Sequence, residues 1–373
     1  MCLLDLWFYL IKIILIKRKV RQLFNSKKGQ LLGLLVTLFF LALVLTRIQF
    51  DKVGNAFSQA NYFYLIPAIT VTMLGYFARA YRWQIILKPT KLVPFKQSYS
   101  IMMIGFMANN LLPARIGEFV RAYTLGAQEE ISKSLSLATI VLERVCDGLT
   151  LIALMGFSLM IFPSPHQTGD VAFIEFFSTT VFIGAIIFLV FLLVREKLAL
   201  KIISLVMRPL PNRIEKKVQG LLMSFVLGLH ALKRRTTLVG IVGLSLLVWS
   251  LEGSSYYLML WAFNLQDKMS PLQLIGAGIF LLVFVNLGTM VPSAPGFIGV
   301  YQVAAVIALG AYSVDENIAF SLAILTNTFQ YVLVTAIGLF FFSRMNLSFK
   351  SLKASSQETN EEQRTIEMAA ADS

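Results

Sequence analysis

The chain has 373 residues, of which 57% are hydrophobic and only 14% charged, with a mean hydropathy of +0.73. No water-facing surface can be built from so small a polar remainder, which excludes a soluble globular protein and implies a polytopic membrane protein. The net charge of +13 then bears on topology and not on nucleic acid, because basic loops set the orientation of membrane helices.

Residues 1–29 combine Trp7, Phe8 and Tyr9 with seven Lys and Arg and show no small-residue cleavage pattern, so they read as a basic interfacial segment and not a cleaved signal. Apolar runs near the roughly 20 residues that a membrane helix needs lie at about 31–46, 62–87, 134–162, 171–194, 237–263 and 318–342. They predict about six full transmembrane helices. Two further regions, 98–126 and 271–311, are apolar but interrupted at Pro113 and at Pro292 and Pro295. Each reads as two shorter helices around a non-helical turn, helped in the second by Gly296 and Gly299 and in the first by Gly117. Re-entrant hairpins are the preferred form, since halves such as 98–112 and 116–126 are short for a crossing. Continuous apolar runs argue against a β-barrel, so the fold class is an all-α transmembrane domain over 30–344. Residues 197–232 read as an amphipathic cytoplasmic connector and 345–373 as a disordered polar tail.

Ten basic residues fall between Arg195 and Arg235, against none in 163–170 and one in 264–270, which puts both termini and the 195–235 connector in the cytoplasm. The chain also echoes itself. Ile116-Gly117, Leu125-Gly-Ala127 and Ser136-Leu-Ala138 recur, with one residue of offset, as Ile298-Gly299, Leu309-Gly-Ala311 and Ser321-Leu-Ala323. Three crossings separate the helices leading into the two broken regions, so the repeat is inverted, as in alternating-access carriers.

Charge at membrane depth costs roughly 2.5–3.5 kcal/mol per residue, so the charged residues of the apolar segments must pair. Arg115, Glu118 and Arg121 are spaced i,i+3 on one helix, and Glu143, Arg144 and Asp147 share a face of the next. Opposing the faces would neutralise most of the charge. The plain reading is a set of interhelical salt bridges; the functional one gives Arg115, Arg121 and Arg144, with Asn110, the binding of a lipid headgroup phosphate, because a guanidinium donates two bonds and stays charged when desolvated. Glu118, Glu143 and Asp147 would then orient the arginines. Glu252, alone in its helix, either pairs with them or carries a proton. Arg79, Arg82 and Trp83 close a span and read as an interface anchor, with a headgroup contact as the alternative. Cys2, Cys146, His166 and His230 are isolated, and no phosphate-binding Gly-x-x-x-x-Gly-Lys-[Ser/Thr] loop occurs. Neither a metal, a cofactor nor nucleotide hydrolysis is expected.

Read together, Arg79-x-x-Arg-Trp, Asn110-x-x-Pro-Ala-Arg-x-Gly-Glu-x-x-Arg121, Glu143-Arg-x-x-Asp147 and Pro292-x-x-Pro-Gly-x-x-Gly299 resemble the lysylphosphatidylglycerol synthase transmembrane family over about residues 30–343. The resemblance implies a flippase-like protein, or the membrane half of an enzyme that aminoacylates phosphatidylglycerol; with no soluble transferase domain in the sequence, it implies transport and not an enzyme. Family members often carry a glutamate where this chain has Gln302, which argues against a proton-coupled role for that position. The expectation is therefore a lipid translocator of the bacterial inner membrane, with an anionic or zwitterionic phospholipid, an aminoacyl lipid or a glycolipid as its partner. A lipid-modifying transferase, or a scaffold for a cytoplasmic synthase, is the alternative, and a homo-oligomer stays open.

Overall fold

The computed structural model describes residues 38–40, 42, 45–46, 48–112, 116–162, 235–290 and 295–345. The segments 1–29, 171–194 and 197–232, most of 31–46, and 346–373 lie outside the described residues. Within those described, helices account for every long segment and no strand occurs. The helices are α1 (Phe50–Gln59), α2 (Leu65–Leu87), α3 (Phe95–Leu111), α4 (Gly117–Glu129), α5 (Lys133–Ile161), α6 (Arg235–Ala262), α7 (Pro271–Gly288), α8 (Val300–Gly310) and α9 (Glu316–Arg344).

Their boundaries follow local chemistry. Ser132 Oγ accepts from the Leu135 N–H at 3.2 Å to open α5. Ser270 does the same for α7 through Gln273, with Pro271 at the first helical position, where its missing N–H costs nothing. Asp315 caps α9 by accepting from the backbone of Asn317 at 2.9 Å and of Ile318 at 3.4 Å. Outside the membrane-spanning segments, that carboxyl has a lowered pKa: partial burial works against the shift, and the Asn317 and Ile318 hydrogen bonds together with Lys52 outweigh it.

The order long helix, medium helix, break, short helix, long helix occurs twice, as α2–α5 and again as α6–α9. The two units meet reciprocally: α2 packs on α6, α3 on α9, and α5 on α7. They are also antiparallel. Thr72 bonds Ser255, Arg79 bonds Glu252 and Arg82 bonds Ser245, so α6 descends as α2 ascends. The repeated words sit at equivalent places, with Gly117 and Gly299 at the start of α4 and α8 and Ser136 and Ser321 within the first two turns of α5 and α9. The inverted repeat is thus a property of the fold.

Four described helical segments are long and apolar enough to cross a membrane: 62–87, 237–262, 271–288 and 316–344. The third amends the sequence reading, which treats both halves of the second broken region as short. At about 1.5 Å per residue, α7 with its 18 residues reaches about 27 Å, close to the roughly 30 Å hydrocarbon. Helix α8, with 11 residues, and α4, with 13, fall well short. Phe63, Ile66, Val239, Val332 and Phe340 are all more than half exposed on the outer faces. In water such a surface would aggregate; against lipid it is the expected one.

Close helix contacts depend on glycine at two places. A Cβ on Gly117 would collide with the Gly105 carbonyl oxygen and lie 2.6 Å from Asn109 Oδ1, so the α3–α4 hairpin closes only over bare backbone. A Cβ on Gly338 would meet the Met107 side chain and, at 2.8 Å, the Met103 carbonyl oxygen, where α9 crosses α3.

Candidate functional site

The charged residues of the sequence reading converge. Helix α5 presents Glu143 and Asp147 one turn apart, and α2 presents Arg79 and Arg82 at i,i+3, a spacing that lets two guanidiniums straddle two carboxylates. Arg82 Nη2 lies 2.7 Å from Asp147 Oδ1 and 3.6 Å from Glu143 Oε1, while its Nη1 donates to Ser245 Oγ at 2.8 Å. Arg121, on α4, donates to Glu143 Oε2 at 2.8 Å. Arg79 is 3.6 Å from Asp147 and is directly bonded to Glu252 of α6. The result is one chain of ions, Glu252, Arg79, Asp147, Arg82, Glu143, Arg121. Arg144 flanks it at 3.5 Å from Glu143, 3.6 Å from Asp147 and 3.8 Å from Glu118.

This geometry corrects the reading of Arg79, Arg82 and Trp83 as an interface anchor. Arg82 and Trp83 are 0% exposed and Arg79 6%, so none can reach headgroups by snorkelling; they are held inside the bundle by carboxylates. The assignment of Arg121 to headgroup binding is corrected likewise. It is 1% exposed, paired to Glu143, and stacked 4.2 Å from the Trp83 ring. Its Nε and Nη1 have no hydrogen-bond partner among the described residues, and the indole face compensates them as a cation–π contact. Trp83 Nε1 in turn donates to Thr139 Oγ1 at 3.2 Å. Glu252 proves to be an ion-pair partner of Arg79 and also accepts from Asn286 Nδ2 at 3.2 Å. Pro113, Arg115 and Pro292 lie outside the described residues.

Next to the buried ions is a cavity of about 160 Å³, room for several waters. From the first unit come Tyr76 and Arg79 of α2, Phe106, Asn109 and Asn110 of α3, and Arg144 of α5. Helix α6 adds Trp249, Glu252 and Tyr256, and the end of α7 adds Asn286 and Thr289. The far wall is Phe297 and Tyr301 beyond the second break, with Asn327, Gln330 and Tyr331 of α9. Both broken regions therefore border one polar space inside an apolar bundle, where freed backbone is tolerated. Arg144 is the ion-cluster arginine with the most exposure, its side chain 29% accessible. Asn110 lines the wall while its Nδ2 donates to Thr335 Oγ1 at 3.2 Å and, at 3.4 Å, to the Tyr331 carbonyl.

The turns are built for this position. Asn109 Oδ1 accepts the Gly117 N–H at 2.8 Å, closing the first break, so Gly117 is a capped helix start and a close-contact residue more than a helix breaker. In the second break Pro295 begins a tight turn, and Gly296 and Gly299 take φ of +76° and +87°, the region that glycine enters without a Cβ penalty. Asn327 Nδ2 donates to the Gly296 carbonyl at 3.1 Å. Gln302 Oε1 accepts the Gly299 N–H at 2.7 Å, which gives this residue a capping task that a neutral amide performs.

Sequence reasoning singled out Asn110 but missed the rest of the amide and aromatic lining, since single Asn, Gln and Tyr residues in apolar helices carry no spacing signal. Asn286 and Asn327 were the available hint, as side-chain amides are costly in hydrocarbon without a partner or a cavity. Among the described residues no group of His, Cys, Asp and Glu could hold a metal ion.

The family described as the lysylphosphatidylglycerol synthase TM region matches residues 30–338. A UPF0104 membrane protein of Methanocaldococcus jannaschii is 28% identical over 235 residues, covering 63% of this chain and 92% of that protein. A second UPF0104 membrane protein of the same organism is 24% identical over 320 residues, 82% of this chain and 91% of its own length. Glycosyltransferase AglD of Haloferax volcanii is 23% identical over 361 residues, 90% of this chain, and this chain spans only 57% of that protein. No solved structure matches the chain.

Proposed function

The chain belongs to the lysylphosphatidylglycerol synthase transmembrane family, and from that premise we propose that this multi-pass membrane protein moves a polar or anionic lipid between leaflets without modifying it. The observation that carries the proposal is the cavity, lined by both broken regions and by Arg79, Arg144 and Glu252, in a fold of two antiparallel units. Such a site, placed between inverted repeats, suits alternating access by rocking. Arg144 meets the headgroup phosphate, Asn109 and Asn110 flank it, and the acyl chains stay in lipid. The remaining ions keep Arg144 oriented: among the described residues of the cluster Arg79, Arg82, Arg121 and Arg144 face Glu118, Glu143, Asp147 and Glu252, a balance of four against four. A neutral cluster holds an anion less tightly than an unpaired arginine would, and a carrier must also release its cargo. The protein works in the cytoplasmic membrane with both termini on the cytoplasmic side.

A second reading, a membrane module serving a glycan synthase, is favoured by the name of the relative glycosyltransferase AglD. Leaflet exchange separates the two. Proteoliposomes holding the full chain should exchange headgroup-labelled phosphatidylglycerol, and Arg144→Gln, folded by thermal unfolding and size-exclusion criteria, should lose at least tenfold of that rate. Exchange that is equally fast with the variant removes Arg144 from the proposal. No exchange with either protein, while lipid extracts of a deletion strain lack a glycan-bearing product, supports the synthase module instead.

A further inference from the structure

We propose that the cargo headgroup of this cavity is a hexose phosphate, with the sugar ring among the asparagines and aromatic rings and the phosphate at Arg144. The inference rests on the cavity being the cargo site and names what that cargo carries.

The argument is one of donors and acceptors. Asn286 spends its Nδ2 on Glu252 and on the Leu282 carbonyl. Asn327 spends its Nδ2 on Gly296, and Asn110 on Thr335 and Tyr331. The Oδ1 atoms of all three accept nothing from the described residues, and none is sealed from water. Asn109 is reversed: its Oδ1 is used by the Gly117 N–H and its Nδ2 is left. With the Gln330 amide, which reaches the Tyr256 hydroxyl, the wall offers open acceptors and open amide donors beside the Arg144 guanidinium. A phosphate only accepts and an ammonium only donates; a hydroxyl does both. A ligand that satisfies this wall carries several hydroxyls.

The remaining lining selects a ring. The rings of Tyr76, Phe106, Phe297 and Tyr331, each only partly buried, give the cavity apolar surfaces between its amides, while Trp249, Tyr256 and Tyr301 are buried behind them. A pyranose has apolar C–H faces and a polar equator, and aromatic side chains with hydrogen-bonding neighbours match both. The glycerol of phosphatidylglycerol would use two hydroxyls and leave the aromatic walls bare. A cavity of about 160 Å³ is on the scale of a single sugar ring and not of an oligosaccharide. The charge is graded to match, with Arg79 and Arg144 on the side of the ion cluster and the uncharged Asn327 and Gln330 on α9.

The test uses the purified full chain and four probes: a hexosyl-1-phosphoryl lipid with a short isoprenoid tail, the same lipid phosphate without its sugar, phosphatidylglycerol, and free glucose 1-phosphate. Binding is read by tryptophan fluorescence and by equilibrium competition. The hexosyl lipid should bind at least tenfold more tightly than the sugar-free phosphate and phosphatidylglycerol, and Gln330→Leu should remove most of that preference without weakening the sugar-free phosphate. Equal binding of the hexosyl and sugar-free lipids overturns the inference, and so does the absence of binding by any sugar-bearing probe. If free glucose 1-phosphate binds as tightly as the hexosyl lipid, the sugar stands and the lipid reading falls. If phosphatidylglycerol is exchanged with no preference for sugar, translocation stands and the sugar falls.

Discussion

Arg82→Leu should destabilise the protein by about 3 kcal/mol, for reasons that can be worked from its contacts. At an effective dielectric near 20, unit charges 2.7 Å apart attract by about 6 kcal/mol and charges 3.6 Å apart by about 5 kcal/mol before desolvation is subtracted; these are the separations of Arg82 from Asp147 and from Glu143. Desolvation of the buried pair cancels most of that gain, and what an experiment reads is the carboxylate left behind, typically 3–5 kcal/mol. The low end applies because Asp147 keeps Arg79 and Arg144, each at 3.6 Å. The paired change Arg82→Leu with Asp147→Leu removes both charges and should cost less than the sum of the single changes, with a coupling of at least about 2 kcal/mol. Arg82→Lys should not restore stability, because one ammonium cannot serve Ser245 and Asp147 as the two arms of a guanidinium do. Reversible unfolding in mixed micelles with increasing dodecyl sulfate, followed by tryptophan fluorescence, gives the four free energies. Additive single changes, or an Arg82→Leu protein as stable as the wild type, would refute the claim that these ions fix α2 on α5.

Gly117→Ala and Gly338→Ala should each be poorly tolerated, since the new methyl group meets backbone oxygen in both cases; the yield of monodisperse protein should fall severalfold, with Gly148→Ala, which meets nothing within 4 Å, as the neutral control. Gln302→Leu removes the acceptor for the Gly299 N–H and should cost on the order of 1 kcal/mol in the same unfolding assay, while Gln302→Glu keeps an acceptor there and should cost less. Asp315 has a folded pKa below its unfolded one, so its contribution is fully present above the ordinary carboxylate range and is lost as pH falls through the lowered value; Asp315→Ala should therefore lower stability by about 1 kcal/mol near neutral pH and much less in strong acid. Glu252→Gln leaves four arginines facing three carboxylates and should tighten phosphatidylglycerol binding by roughly tenfold, about 1.4 kcal/mol, measured by competition; unchanged affinity would mean that the cavity does not sense Arg79.

Much of this architecture was legible in the sequence because hydrocarbon leaves few choices. Long apolar runs had to be helices, and of the prolines expected to interrupt them Pro295 stands at a described break. The inverted repeat was readable from three short echoes and the parity of the crossings, and the antiparallel packing of α2 on α6 accounts for both. Charge pairing was legible only within a helix. The spacing of Glu143, Arg144 and Asp147 displays one face, but nothing in the sequence says that Arg79 and Arg82, at the end of an apolar run, turn inward. An arginine at that position satisfies the same pattern by snorkelling or by pairing, and the choice is made by where α5 crosses α2, a long-range property. The cavity was illegible for a related reason. Its lining is drawn from α2, α3, α5, α6, α7, α8 and α9, and each residue becomes informative only beside the others.

The ion chain and the cavity share Arg79, and that sharing bears on how two rigid units could move. A carrier that rocks must break contacts between its halves at small net cost, yet a buried charge stripped of its partner is among the most expensive things a protein can make. Arg79 and Glu252 form the direct ionic link between the halves, and each has a second partner within its own unit. Arg79 retains Asp147 of α5 at 3.6 Å and also lies over the face of Trp249 of α6, while Glu252 retains Asn286 of α7 at 3.2 Å. Separation of α2 from α6 at this level would leave neither charge unpartnered. The other polar links there include Arg82 to Ser245 and the Ser255 hydroxyl, which accepts from Thr72 and donates to the Ala68 carbonyl, and Arg82 keeps Asp147 and Glu143 within its own unit. The charges are therefore arranged so that each unit is ionically close to self-sufficient, the condition under which a polar interface inside a membrane can open without exposing bare charge to hydrocarbon.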